Sequence, residues 1–125
     1  MLNNCILMGR LTHTPELYTL KSGKNVLRFS LAVNRPKIKN EEVKTDFIDC
    51  IAWDKTAEFI NKYFQKGDAL ILEGKIETRD SKDKQGTVRK VTEVIAREIH
   101  FCDYAKKKDK PDNQSNQETF DDMPF

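Results

Sequence analysis

Polar and hydrophobic residues alternate along several short stretches of this chain, most clearly between residues 26 and 34. Leu27, Phe29, Leu31 and Val33 alternate there with Arg28 and with small or polar side chains. Successive side chains of a β-strand point to opposite faces of the sheet, so a period of two is typical of a strand with one buried face. The stretch therefore predicts a strand that contributes one face to a core.

Turn residues divide the rest of the chain into similar stretches. Strands are predicted at residues 4–12, 26–34, 45–53, 69–78 and 88–101, and a polar loop is predicted at residues 79–87. Asp54 can cap a helix that runs to about Gln65 with an apolar stripe on one side. Gly67 follows this helix as a stop signal.

The order of these elements, three strands, a helix and two strands, is that of the OB-fold. The predicted fold class is therefore all-β with one helix, a five-stranded Greek-key barrel of the kind that binds single-stranded nucleic acid on its sheet face and loops. The length of 125 residues leaves room for one domain, predicted at residues 1–104. Residues 105–125 contain no Val, Ile, Leu or Trp, so we expect a disordered tail there.

The third predicted strand has two unlike faces. One face is small and apolar and suits a core: Ile48, Cys50 and Ala52. The other face places an acid between aromatic rings, which favours contact with water or with a ligand: Phe47, Asp49, Ile51 and Trp53. We therefore expect Phe47 to be exposed, and Trp53 as well, with a core ring at the strand end as the alternative for Trp53.

Charge is unevenly distributed along the chain. Residues 1–110 hold all 22 lysines and arginines, whereas residues 111–125 hold acidic residues and no basic one. A basic body favours a polyanion as its partner, and an acidic end favours a basic groove on another protein.

Catalytic and metal chemistry are not indicated. Cys5, Cys50 and Cys102 lie far apart in apolar stretches, so we expect buried thiols in a reducing compartment rather than disulfides or a zinc site. His13 and His100 have no cysteine or second histidine at metal-ligand spacing. The chain also lacks a phosphate-binding glycine loop, a signal-peptide start and an apolar stretch of membrane-spanning length. We expect no enzyme activity, no metal, no cofactor and no membrane contact, in a cytoplasmic protein.

An aromatic residue stands beside acids at the end of the chain, in the segment Asp121, Asp122, Met123, Pro124 and Phe125. The ring of Phe125 can fill an apolar pocket while its carboxylate and the two aspartates meet basic residues at the rim. We therefore expect this tip to dock partner proteins, with an acidic end of no function as the alternative.

Short motifs follow one another along the domain: Gly9-Arg10-Leu11-Thr12, Leu31-Ala32-Val33-Asn34-Arg35, Asp46-Phe47-Ile48, Thr78-Arg79 and Thr92-Glu93-Val94. In this order, and with its acidic Pro-Phe tip, the chain resembles the bacterial single-stranded DNA-binding proteins (SSB) over nearly the whole domain. The resemblance implies a homotetramer of OB domains that wraps single-stranded DNA at the nucleoid. It also implies that the tips recruit DNA replication, recombination and repair proteins.

Candidate DNA-binding residues are of two kinds. Exposed aromatic rings stack on bases with little sequence preference, which makes Phe47 and Trp53 the expected platforms. Basic side chains track the phosphates, and the candidates on the charged loops and after the third strand are Arg35, Lys37, Lys39, Lys55, Arg79, Arg89 and Lys90. The resemblance supports Arg35, Lys55 and Arg79, while a solvated surface is the alternative for several of the lysines.

Both long loops depart from the family, which places further aromatic residues on them. This chain has Lys37-Ile38-Lys39 and Asp80-Ser81-Lys82 there instead. Stacking is therefore reduced, and two alternatives to an SSB stay open. One is an OB-fold adaptor that mainly binds proteins and holds nucleic acid weakly. The other is an RNA-binding OB domain, because stacking and charge also suit a ribose backbone.

Overall fold

Six strands and one helix make up the part of the chain that the structure describes, residues 1–102 of a computed structural model. Their bounds are β1 (Cys5–Leu11), β2 (Tyr18–Thr19), β3 (Asn25–Asn34), β4 (Thr45–Trp53), α1 (Asp54–Tyr63), β5 (Ala69–Lys82) and β6 (Val88–Phe101). The tail predicted at residues 105–125 lies outside the described residues.

The sheet closes into a barrel because β1 pairs with two neighbours. It runs antiparallel to β5 along most of its length, and its last residues return to β3 through Arg10 opposite Ala32 and Leu11 opposite Leu31. The order around the barrel is β1-β5-β6-β4-β3, and the two-residue β2 pairs with the start of β3. The predicted five-stranded barrel is confirmed, with the helix between the third and fourth of its long strands.

The core lies inside this barrel and is formed by the inward positions of the alternating strands. Leu27 and Leu31 of β3 are fully buried, as are Leu70 and Leu72 of β5. Helix α1 adds the fully buried Ile60 to the same cluster. The period of two in the sequence is therefore the pattern of barrel packing, because each inward side chain removes apolar surface from water.

Helix α1 connects β4 to β5 and carries an aromatic cluster on one side. The ring of Phe59 packs against Phe101 of β6 with the ring centroids 5.3 Å apart. Phe64, directly after the helix, stacks on Phe101 at the same separation. At 10 residues α1 is far too short to cross a membrane, and no other helix occurs in residues 1–102 to do so.

The start of this helix differs from the prediction. Trp53, and not Asp54, holds the N-cap position, and no side chain caps the helix there. The Asp54 carboxylate instead accepts a hydrogen bond from the backbone N–H of Asn25, 3.2 Å away, and Asp54 has a φ of 49°. Asp54 thus connects the turn between β4 and α1 to the start of β3 instead of capping the helix.

Two strands differ from their predicted limits. The sequence did not predict β2, because two residues are too short to show a periodic pattern. Strand β5 continues to Lys82, so the turn to β6 is only the segment 83–87 and Arg79 lies within a strand. Cross-strand pairing between charged side chains, such as Asp80 opposite Lys90, stabilises this polar end of the hairpin.

The cysteines are free thiols, as predicted, and they differ in burial. Cys50 is buried, whereas Cys5 and Cys102 are half-buried, so the expectation of full burial is wrong for these two. Burial raises the pKa of the Cys50 thiol to about 12, which keeps it protonated and unreactive.

Strand β6 packs closely against β5 at Gly74, where the register shifts by a bulge. A Cβ atom at this position would lie 2.0 Å from the carbonyl oxygen of Ile95, so only glycine fits. Gly86 is a different case, because a Cβ there would meet no atom within 4 Å but the residue has a φ of 84°.

We predict that Gly74→Ala destabilises the barrel by ~3 kcal/mol or more, because backbone must move to admit the methyl group. Gly86→Ala should cost only ~1–2 kcal/mol, the usual penalty of a left-handed conformation. Urea unfolding of both variants measures this difference. Equal losses of stability would show that the close approach at Gly74 is relaxed at no cost.

Candidate nucleic-acid interface

Two aromatic side chains stand on the outer face of β4, as predicted. Pairing in register sets Phe47 opposite Ala32 and Trp53 opposite Val26, so small or medium side chains flank both rings. Phe47 is 68% exposed and Trp53 is 39% exposed, so neither ring is part of the core. The alternative of a core position for Trp53 is wrong for this structure. Both rings project from a paired strand, which fixes their positions better than a loop would.

Ile51, between the two rings, does not share their exposure. Its face of the strand was expected to be open, with an interior position as the alternative for Ile51 itself, and the side chain is only 2% exposed. Its neighbours on that face are Arg28 of β3 and Ile95 of β6, which both pair directly with it. Side chains from both adjacent strands therefore cover this position, and the open part of the face is divided into two regions around Phe47 and Trp53.

A buried carboxylate organises the centre of this surface. Arg28 Nη1 donates to Glu93 Oε2 at 3.1 Å, and Arg79 Nε donates to Glu93 Oε1 at 3.1 Å. Glu93 is only 6% exposed, whereas the two arginine side chains are about half exposed. A buried carboxylate needs such partners, and this pair of contacts holds two guanidinium groups at the surface in fixed positions.

Two adjoining grooves run past these arginines. The first, of about 360 Å³, is lined by residues that include Arg28, Asp49, Arg79 and Glu93. The second, of about 460 Å³, extends toward β2 and is lined by residues that include Tyr18 and Val26. Both share Arg28, so together they form one shallow depression across the strands.

The first charged loop is tied to the sheet through Arg35. Its guanidinium donates two hydrogen bonds of 2.9 Å to the carboxylate of Asp46. The hydrogen bond from Arg35 holds the pKa of Asp46 below its usual value. Both groups are exposed, so the pair orders the loop without sequestering Arg35 from water.

The remaining predicted cations occupy several separate positions. Lys37 and Lys39 are exposed on the loop that begins at Arg35. Arg89 lies 3.8 Å from Asp83 near the hairpin turn, and Lys90 stands opposite Asp80. These groups therefore lie on the loop after β3 and on the β5–β6 hairpin, and the two on the hairpin each have an acidic neighbour.

Lys55 is set apart from the others. It lines a groove of about 320 Å³ between α1 and β6, together with Phe59, Glu98 and His100. The structure thus brings Arg79 close to the aromatic face but places Lys55 on a neighbouring surface, one residue beyond the turn at Asp54.

Arg28 and Tyr18 belong to the surface but were not among the predicted site residues. Arg28 stands at an outward position of β3 in the alternating pattern, which was the available signal. Its link to Glu93 crosses 65 positions in sequence, and no local pattern reveals such a pairing. Tyr18 had no signal of this kind, because β2 itself was not predicted.

Among residues 1–102, one cluster could offer three ligand atoms to a metal ion: Glu73, Glu98 and His100. His100 Nε2 lies 2.6 Å from Glu73 Oε2 and 3.7 Å from Glu98 Oε2. The bond to His100 holds the pKa of Glu73 below its usual value. The carboxylates thus have His100 as a partner within the protein, and the cluster is a hydrogen-bonded group of side chains at the surface.

The other predicted docking site cannot be placed on this surface. Asp121, Asp122, Met123, Pro124 and Phe125 lie outside the described residues.

Comparison with known proteins gives one consistent family. The model described as "Single-strand binding protein family" matches residues 2–102. The chain is 44% identical over 117 residues to "Single-stranded DNA-binding protein 1" of Staphylococcus aureus (strain MSSA476), covering 93% of this chain and 73% of that protein. It is 42% identical over 106 residues to "Single-stranded DNA-binding protein 2" of Clostridium acetobutylicum, covering 84% of this chain and 80% of that protein. The resemblance inferred from the motifs is confirmed.

We predict that Arg35→Gln raises the pKa of Asp46 toward its ordinary value, because the charged partner that favours the carboxylate is lost. A depressed pKa stabilises the fold above the ordinary value of an aspartate, and this contribution disappears as pH falls through the lowered pKa. Carboxyl carbon NMR titration measures the shift. The pKa of Glu73 should stay low in the variant, since its partner is His100. An unchanged Asp46 would contradict the assigned cause.

Proposed function

The chain belongs to the single-strand binding protein family, and we propose that its barrel coats and protects single-stranded DNA without catalysing a reaction. The observation that carries this proposal is the pair of exposed rings, Phe47 and Trp53, on the outer face of one strand. Exposed apolar rings on rigid strands have no role in the core of the barrel. They do suit the bases of a single strand, whose faces are open for stacking.

Stacking on the two rings is the first part of the proposed contact. Each base that stacks on an aromatic ring contributes ~1–3 kcal/mol, with little preference among bases because every base has a π-face. Phe47 and Trp53 are six positions apart on β4, which separates them by about 20 Å at ~3.3 Å per residue. They therefore contact different nucleotides along the strand rather than enclosing one base.

Phosphates are the second part of the proposed contact. Arg28 and Arg79 are positioned by Glu93 beside the groove, and each keeps N–H donors beyond the one that bonds to Glu93. Arg35, Lys37 and Lys39 add charge at one end, and Arg89 and Lys90 add it on the β5–β6 hairpin. Lys55 extends the basic track around the turn after Trp53. Each phosphate contact releases counterions, so affinity should fall as salt rises.

Acidic residues of β4 limit this attraction. Asp46 pairs with Arg35, and Asp49 is exposed between Phe47 and Ile51 on the outer face of the strand. The negative charge repels phosphates that approach the centre of β4. It therefore favours a path on which the bases, and not the sugar-phosphate backbone, contact this part of the strand. Duplex DNA hides its base faces and presents phosphates, so this arrangement favours single strands.

We propose further that the chains assemble as a homotetramer, as the resemblance implies. The outer face of β1 exposes Ile6 at 69% and Met8 at 46%, and Met8 stands opposite Ile71 of β5. Neighbouring exposed apolar residues on a sheet commonly mark a protein interface. This face lies away from the aromatic face of β4, so assembly through it leaves the proposed DNA surface open.

The third part of the proposal concerns partner proteins. The segment Asp121–Phe125 combines a terminal ring with acids, which suits a basic groove with an apolar pocket on DNA replication, recombination and repair proteins. Because a protein with this role acts on exposed chromosomal strands, we place it in the cytoplasm at the nucleoid.

The direct test is fluorescence of Trp53, the single tryptophan of the chain. Titration with a thymidine oligomer should quench it strongly, and a duplex of equal length should not, because only the single strand can stack. Phe47→Leu should weaken binding by ~1–3 kcal/mol, the contribution of one stacked base. Phe101→Leu is the matched control, since Phe101 is 41% exposed but lies beside α1.

Three results would reject parts of this proposal. Equal quenching by RNA and DNA oligomers would favour an RNA-binding domain. Weak binding to every nucleic acid would favour a protein adaptor. Equal losses of affinity in Phe47→Leu and Phe101→Leu would show that the rings act through stability and not through stacking.

Deletion of Phe125 tests recruitment separately. We predict that the shortened chain loses capture of replication and repair proteins from a lysate but keeps the affinity of the full chain for a thymidine oligomer, because every residue proposed to contact DNA stands at or before Lys90. Sedimentation provides the control, since both chains should have the mass of four subunits. A monomeric mass would overturn the tetramer, and unchanged capture would overturn docking through the tip.

A further inference from the structure

Among residues 1–102, Tyr18 is the most exposed aromatic residue apart from the two predicted platforms. Its side chain is 66% exposed, close to the 68% of Phe47. Within residues 1–102 its hydroxyl forms no hydrogen bond and its ring contacts no other ring. The ring therefore contributes little to the packing of the barrel, and its apolar face is open to the groove that it lines.

The backbone under Tyr18 is held in place despite this exposure. Strand β2 pairs with β3 through Tyr18 opposite Val26, and a short turn follows in which Leu20 N–H donates to the carbonyl of Lys24 at 2.8 Å. Asn25, at the other side of this turn, donates through its side chain to Glu58 of α1 at 3.0 Å. The hairpin is thus anchored to the helix, which gives the ring a defined position.

Pairing across three strands sets Tyr18 in a row with Trp53. Val26 stands opposite Tyr18 on one side and opposite Trp53 on the other, so all three share one face of the sheet. Two strand spacings separate the two aromatic residues by about 10 Å between Cα atoms. Val26 forms the apolar floor between them. At this separation each ring can stack on its own base, and the two bases can be neighbours on the same strand.

Arg28 completes the chemistry of this position. It lines the groove beside Tyr18 and Val26, and one of its nitrogens is bonded to Glu93. A guanidinium has five N–H donors, so the group can still bind a phosphate while Glu93 holds it in place. A nucleotide of single-stranded DNA can use all three groups, because its base stacks on the aromatic ring and packs on the apolar side chain while its phosphate binds the cation.

We propose that Tyr18, Val26 and Arg28 form a further nucleotide-binding subsite, in which one base stacks on Tyr18 and the adjoining phosphate contacts Arg28. This inference rests on the proposed binding of single-stranded DNA and extends its path from β4 across β3 to β2. The subsite supplies a stacking partner on the sheet, whereas Lys37-Ile38-Lys39 of the first charged loop and Asp80-Ser81-Lys82 at the end of β5 contain no aromatic residue.

Tyr18→Leu tests the subsite, because it keeps an apolar side chain and removes the π-face. The affinity for a thymidine oligomer should fall about 5-fold or more, the loss expected for one stacked base. The slope of log affinity against log salt should stay unchanged, since stacking releases no counterions, whereas loss of one phosphate contact would lower it by about 0.7. Tyr18→Phe should retain the wild-type affinity.

Tyr63→Leu is the matched control. Tyr63 is 46% exposed and belongs to the aromatic cluster on α1, away from the groove, so its replacement should leave the affinity unchanged. Iodouracil placed in the oligomer gives a direct readout, because light couples this base to an aromatic ring that stacks on it. The coupled peptide of the full chain should contain Tyr18.

The outcomes separate the subsite from the proposed function. Strong quenching of Trp53 with unchanged affinity in Tyr18→Leu would overturn the subsite alone. A lower salt slope in that variant, or equal loss in Tyr63→Leu, would also reject stacking on Tyr18. Absence of binding by the wild-type chain would overturn both proposals.

Discussion

The nine-residue register between β3 and β4 is the constraint on which the rest of this structure depends. It places Leu27, Phe29 and Leu31 inside the barrel and, by the same alternation, turns Phe47 and Trp53 outward. A slip of one residue would exchange the two faces, burying charges and exposing the core. The hydrophobic effect that closes the barrel therefore also fixes the surface proposed to hold DNA, so stability and binding share one geometric cause.

A second constraint is electrostatic. Glu93 is nearly buried, and its charge is tolerable only because Arg28 and Arg79 approach it from strands on either side. The pairing makes both guanidinium groups part of the fold and limits their freedom before any ligand arrives. Groups that are ordered in advance lose less entropy on binding. Glu93 thus restricts two otherwise flexible cationic side chains at the surface. Arg35 is positioned in a similar way, but by the exposed carboxylate of Asp46.

The sequence was sufficient for features set by local pattern. Alternation predicted the strands and the exposure of Phe47, and element order predicted the barrel. It was insufficient where distant contacts decide: Ile51 is covered by Arg28 and Ile95 from two other strands, and Asp54 leaves its expected cap to bond Asn25. Tyr18 was missed because a two-residue strand has no period. Arg28 and Arg79 stand 65 and 14 residues from Glu93 in the sequence, and a local sequence pattern does not predict contacts over such separations.

The central claim is that single-stranded DNA lies on the outer face of β3 and β4. Amide chemical-shift mapping of the full chain with a thymidine oligomer tests this most directly, because it locates contacts without altering a residue. We expect the largest shifts around Phe47, Trp53 and Arg28, and small shifts around Ile6 and Ile71 on the β1–β5 face. Largest shifts on the β1–β5 face, or shifts of equal size throughout the barrel, would contradict it.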